Sequence, residues 1–116
     1  MSYVDGFVIP VPKAKKEAYR EMAEMAAGVF KEHGALQVVE CWGDTVPPGK
    51  LTSFPLAVQC KDEEVVVFAW ILWPSRAARD EGMAKAMADP RMQPGADMPF
   101  DGKRMIFGGF EVMLDR

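Results

Sequence analysis

The chain has 116 residues, 49% of them apolar and 27% charged, with a formal net charge of −3 and a single histidine. A chain of this length makes one domain, residues 1–116, whose core needs no disulfide or metal staple. The acidic balance excludes non-specific nucleic-acid binding, which needs a concentrated basic face, and no apolar stretch approaches the roughly 20 residues of a membrane span.

Tyr3 to Val11 (YVDGFVIPV) is rich in β-branched and aromatic residues and reads as a first strand. Pro12 suits the first turn of a helix, where its missing N–H is no loss. Tyr19, Met22, Ala23, Ala26, Val29, Phe30 and His33 then recur at spacings of three and four, opposite Lys16, Glu17, Arg20, Glu24 and Lys31. That pattern predicts an amphipathic helix, stopped by Gly34. Lys13, Lys15 and Lys16, followed at once by Glu17, Glu21 and Glu24, read as its solvated start.

Ala35 to Thr45 predicts a second strand, and the Pro-rich stretch from Val46 to Pro55 a loop. Ser53 opens either one helical turn through Val58 or a short strand, and Lys61 to Glu64 reads as a polar turn. Val65 to Trp73 (VVVFAWILW) is apolar at every position, as a strand covered on both faces should be. Ser75 is the expected N-cap of a second helix over Arg76 to Ala88, with Met83, Ala84, Met87 and Ala88 as its buried stripe. Asp89 to Lys103 predicts a long irregular connection, and Arg104 to Asp115 the final strand.

Strand–helix–strand–strand–helix–strand is the split βαβ order of an α+β, ferredoxin-like βαββαβ fold with a four-stranded antiparallel sheet. Right-handed crossovers put strands one and three at its centre. Two helices cover one face only, yet strands one, three and four are apolar on both. A second copy stacked sheet to sheet supplies the other cover, which gives the dimeric α/β barrel and makes the chain its own expected partner.

The segments YVDGF (3–7), KEHGAL (31–36), ECWGD (40–44) with VP and GK beyond it, PS and AARD (74–80), DPRM (89–92), and PFDGKRMI with GGFE (99–111) resemble the YbaA-like family of small bacterial proteins of unknown function. The last segment is the most specific of them. The resemblance implies the same fold and dimeric architecture, and it implies no activity.

Asp5 lies inside an apolar strand and Glu40 on an apolar face of strand two, where an ionised carboxylate needs a partner. Arg104 begins strand four, which the fold sets beside strand one. Two readings stay open: a polar cluster lining the barrel cavity, with Asp5 or Glu40 as acid/base and Arg104 as anion anchor, or a structural ion pair. His33 is a candidate general base or a helix-end residue suited to the negative C-terminal pole.

Trp42, Trp70 and Trp73 are either ligand-stacking rings or packing. Arg79 and Asp80, with Arg91, either bind a carboxylate or tether the long loop. The Asp101-Gly102 turn before Lys103 and Arg104 is either one wall of a ligand cavity or a plain entry to a strand. Gly108 and Gly109 admit a ligand or mark a bulge or close packing. Nine methionines suggest a malleable core.

One histidine and two cysteines give no recognised ligand spacing, and no GxGxxG, P-loop or nucleophile elbow is present, so neither metal nor cofactor is expected. With no CxxC pair and no signal-peptide pattern, a cytoplasmic protein with reduced thiols is the expectation. The function expected is binding of a small molecule in the barrel cavity of a homodimer, with or without cofactor-free chemistry. A non-catalytic dimerisation or interaction module is the alternative.

Overall fold

The computed structural model describes residues 1–93 and 98–116. Its elements are β1 (Tyr3–Pro12), a 3-10 turn (Lys13–Lys15), α1 (Lys16–Glu32), β2 (Gln37–Trp42), α2 (Phe54–Ala57), β3 (Glu64–Trp73), α3 (Arg76–Ala88), a 3-10 turn (Pro90–Met92) and β4 (Ile106–Glu111). The strands form one antiparallel sheet in the order β2-β3-β1-β4. This is the ferredoxin-like α+β fold, with β1 and β3 central.

The local chemistry explains the boundaries. Pro12 closes β1 instead of opening a helix, because its residue still pairs with Glu64 across the sheet. Ser53 caps α2 by accepting from the Leu56 N–H at 3.1 Å, and Ser75 caps α3 by accepting from the Ala78 N–H at 3.0 Å. At the end of α1, Gly34 takes φ 107°. The N–H of Ala35 then reaches the Phe30 carbonyl at 3.0 Å, and that of Gly34 reaches Lys31 at 3.2 Å, the paired bonds of a Schellman stop.

β2 and β4 are shorter than expected, since each is an edge strand and extends only as far as its neighbour pairs with it. Pro94 and Gly95, in the expected long connection, lie outside the described residues.

Alternation divides the sheet residues cleanly. Tyr3, Asp5, Phe7, Ile9 and Val11 of β1 share the helix-covered face with Val67, Ala69, Ile71 and Trp73 of β3. The buried core lies there, in two clusters centred on Trp73 with Phe30 and on Tyr19 with Val67.

α3 packs in a different phase from the predicted stripe. Gly82 and Ala86 are buried and Met83 half-buried, while Ala84, Met87 and Ala88 are exposed. The rotation brings Gly82 against Trp73 and the His33 carbonyl, both of which a Cβ at position 82 would meet at 2.4 Å. It also aims Arg79 at the sheet.

The opposite face carries Val4, Gly6 and Val8 of β1, Phe68, Trp70 and Leu72 of β3, and Ile106, Gly108 and Phe110 of β4. α2 covers one end of it, where Phe54 meets Phe68 edge-on at 5.9 Å between ring centroids. The remainder is open: Phe68 is 45% exposed and Phe110 60%.

Candidate functional site

The charged candidates separate into distinct clusters. Asp5, 5% exposed on the helix-covered face, accepts from Trp73 Nε1 at 3.0 Å and from Arg79 Nη2 at 2.9 Å and Nε at 3.1 Å. Arg79 also donates to Asp80 at 2.8 Å and lies 5.0 Å from the centroid of the Tyr3 ring. Gly109 completes the enclosure, because a Cβ there would stand 2.4 Å from the Tyr3 hydroxyl and 2.6 Å from Arg79 Nη2. Gly108 faces the other way, toward the Phe110 ring. The two adjacent glycines therefore serve opposite faces of the sheet.

Arg104 does not reach Asp5 or Glu40. It precedes β4 and pairs bidentately with Glu64, both bonds at 2.7 Å, while also donating to Asp101 at 3.0 Å and to the Gln59 carbonyl at 2.8 Å. The Arg104 guanidinium holds the Glu64 carboxyl below the usual carboxylate range. Lys103 is exposed, and its backbone N–H closes the Asp101 turn at 3.0 Å.

Arg91 pairs with Asp89 at 2.8 Å and with Glu32. Its hydrogen bonds pull the Asp89 carboxyl well down. His33 stands 3.8 Å from Asp89 at the same end of α1. That group fastens the end of α3 to the end of α1.

The tryptophans do not share a wall. Trp73 is fully buried; Trp70 lies on the open face and donates to Gln37 at 3.3 Å; Trp42 lies on the helix-covered face with Lys16 Nζ 5.0 Å from its ring centroid.

Glu40 differs from every other carboxylate named so far. It stands on the helix-covered face of the edge strand β2, opposite Ala69, and the residue as a whole is exposed to solvent. One oxygen, Oε1, accepts from the Tyr19 hydroxyl at 2.6 Å, and among the described residues no other side chain bonds to it. Desolvation raises the Glu40 carboxyl pKa, while the Tyr19 hydrogen bond works in the opposite direction. Burial, and then the Glu40 charge, push the Tyr19 phenol far above its ordinary range, so Tyr19 stays protonated and remains the donor.

Glu40 lines a cleft of about 540 Å³ between α1, the sheet and residues 98–105. Phe7, Ile9, Ala69 and Ile71 form the floor, and Phe30 and Phe100 contribute walls. A second hollow of about 430 Å³, bordered by Lys16, Arg20 and Trp42, adjoins it at Ala23, Ala27, Val38 and Glu40. Among the described residues, the polar side chains lining the larger cleft apart from Glu40 are Arg91 and Gln93, and Gln93 donates to the Met87 carbonyl at 3.4 Å. Sequence reasoning found Glu40 but missed Tyr19 as its partner. The signal was there: a tyrosine on the buried stripe of an amphipathic helix needs an acceptor for its hydroxyl.

Among the described residues no group of three His, Cys, Asp or Glu side chains is arranged to hold a metal ion, and no helix is long and apolar enough to cross a membrane.

The fold is similar to that of SnoaB, a cofactor-independent oxygenase from Streptomyces nogalater, solved in a mutant form. The TM-score is 0.57 at 14% identity, covering 98% of this chain and 95% of that one. That likeness is one of fold alone. Over 116 residues the chain is 59% identical to the uncharacterised protein YbaA of Escherichia coli strain K12 and to YbaA of Shigella flexneri, covering 99% of each partner. Residues 2–102 match the model of a protein family of unknown function, DUF1428. The chain therefore belongs to the DUF1428 family, alongside YbaA.

Proposed function

We propose that the protein is a cytoplasmic homodimer that binds a small, mostly apolar molecule in the cleft beneath α1, with Glu40 at its polar end, held by Tyr19 from the adjoining hollow. The observation that carries this reading is the cleft itself. At about 540 Å³ it falls within the range of small-molecule sites, and its lining is mostly apolar, with Glu40 the one carboxylate among the described residues. A carboxylate in an apolar cleft is poised for proton exchange without a cofactor.

Support for the dimer comes from the open sheet face. Val4, Val8, Phe68, Trp70, Ile106 and Phe110 line up across three adjacent strands, with Phe68, Ile106 and Phe110 exposed, and a contiguous apolar face of this kind marks an interaction surface. The face is nearly free of charge, which suits a second copy of the same face. Cys41 and Cys60 are both unpaired, in keeping with a reducing compartment.

Size-exclusion chromatography with light scattering should give twice the chain mass, and Trp70→Glu, which puts a charge in the middle of the face, should give a monomer. Nile red, an uncharged apolar dye, should fluoresce with the wild-type protein. It should lose that signal in Ala27→Trp, which fills the cleft, while the variant keeps its stability and its dimer. A dimer that binds neither the dye nor any metabolite would overturn the binding reading and favour the dimerisation module.

A further inference from the structure

Six of the nine methionines line the cleft: Met22 and Met25 of α1, Met87 of α3, and Met92, Met98 and Met105 beyond it. Met22, Met92 and Met105 also pack against the core clusters, so the same side chains serve core and cleft wall. Thioether side chains are flexible and polarisable, and they make favourable contacts with the edges of aromatic rings. Such a wall adapts to the outline of a flat ring, and Phe7, Phe30 and Phe100 add ring surfaces to it.

The charges around the cleft then choose among aromatic ligands. Glu40 faces it with Oε1 occupied by Tyr19 and no described side chain on Oε2. Arg91 is the cation of the lining among the described residues, and it brings its own carboxylates with it, those of Asp89 and Glu32. Among the described residues lining the cleft, Glu40 is therefore the charge without an opposite partner. An anionic ligand would meet the Glu40 carboxylate with every guanidinium of the lining already ion-paired. A ligand with only acceptors that displaces water from Oε2 would leave that charged oxygen unbonded, an expensive outcome.

Resting on the reading of the cleft as a binding site, we propose that its ligand is an uncharged aromatic molecule carrying a hydrogen-bond donor, which the ligand gives to Glu40 Oε2. Tyr19 occupies Oε1 from the adjoining hollow, so Oε2 is the oxygen left for the ligand.

Three probes of one ring size separate the possibilities: naphthalene, 1-naphthol and 1-naphthoate, titrated calorimetrically at pH 7 into the wild-type dimer. 1-Naphthol should bind about tenfold more tightly than naphthalene, the difference a charge-assisted hydrogen bond makes, and 1-naphthoate should bind most weakly. In Glu40→Gln the advantage of 1-naphthol should fall to within about twofold, naphthalene affinity should hold, and 1-naphthoate should improve. Equal affinities for naphthalene and 1-naphthol, or tightest binding of 1-naphthoate, would overturn the ligand class and leave the cleft standing as a binding site. Failure of all three probes together with Nile red would remove the site itself.

Discussion

Asp5 and Glu40 stand on the same face of one sheet, separated by β3, and their surroundings make them opposite kinds of carboxylate. Asp5 is closed. Two nitrogens of Arg79 and the indole N–H of Trp73 occupy it, and Gly109 leaves no room for anything else. Glu40 is half open. Its partner is a neutral phenol on one oxygen, and beside it lies a cleft lined with methionines and phenylalanines. A charge neutralised by its neighbours holds a fold together and has little left to offer a ligand. A solvent-exposed carboxylate that borders an apolar cleft and keeps one oxygen unused costs the fold little and has that oxygen to offer a ligand.

The sharpest way to break the contrast is at Arg79. Arg79→Ala leaves Asp5 buried without its counter-charge and should lower unfolding stability by about 3–5 kcal/mol, read from urea melts. Replacing both partners with apolar residues of similar volume, Asp5→Leu with Arg79→Met, should recover much of that loss. A loss below about 1 kcal/mol for Arg79→Ala would mean that Asp5 finds water or another donor, and the closed cluster would not be structural.

Glu64 and Arg104 form a second closed pair, and pH tests it. The folded-state pKa of Glu64 is depressed by Arg104, so the pair contributes stability above the unfolded-chain value near 4.3 and loses it as pH falls through the lower folded value. Glu64→Gln should cost about 1.5–3 kcal/mol at pH 7 and flatten the acid limb of the stability curve below about pH 4. An unchanged acid limb would assign that limb to other carboxylates.

The adjacent glycines offer a subtler test of which face each region belongs to. Gly109→Ala drives a methyl into Tyr3 and Arg79 and should cost about 1–3 kcal/mol. Gly108→Ala meets the Phe110 ring at ordinary contact distance, 3.4 Å, and should stay within about 1 kcal/mol of wild type. Equal effects would place the two glycines in equivalent surroundings, contrary to the alternation of β4.

Much of this was legible in the sequence because alternation and capping are local. The uniformly apolar run from Val65 to Trp73, Ser75 ahead of α3 and Gly34 after α1 each state their structure within a few residues. Asp5 and Glu40 stood out for the same reason, as charges on apolar faces. Their partners did not. Pairing Asp5 with Arg79 joins residues 74 positions apart through the rotation of α3 about its own axis, and a helix with alanines on several sides does not announce its phase. Expecting Arg104 beside Asp5 followed correctly from β4 lying next to β1, but Arg104 precedes the paired part of β4 and finds Glu64 instead. The methionines illustrate the same limit: their number was visible, and their convergence on one cleft joins residues as far apart in the chain as Met22 and Met105.

The smallest expected effect is the most telling for Glu40. Desolvation raises its folded-state pKa above the unfolded value, so the folded chain keeps that proton to higher pH. The stability Glu40 contributes is therefore present below the unfolded value near 4.3 and is lost as pH rises from there through the folded value, the reverse of Glu64. Glu40→Gln removes that dependence while the side-chain amide oxygen can still accept from Tyr19. Its urea midpoint at pH 7 should match wild type or lie slightly above it, within about 0.5 kcal/mol. The same substitution should strip the preference for donor-bearing ligands. Should Glu40→Gln instead destabilise the fold as strongly as Arg79→Ala, Glu40 would belong with Asp5 among the closed charges, and the cleft would lose its reason for keeping a carboxylate.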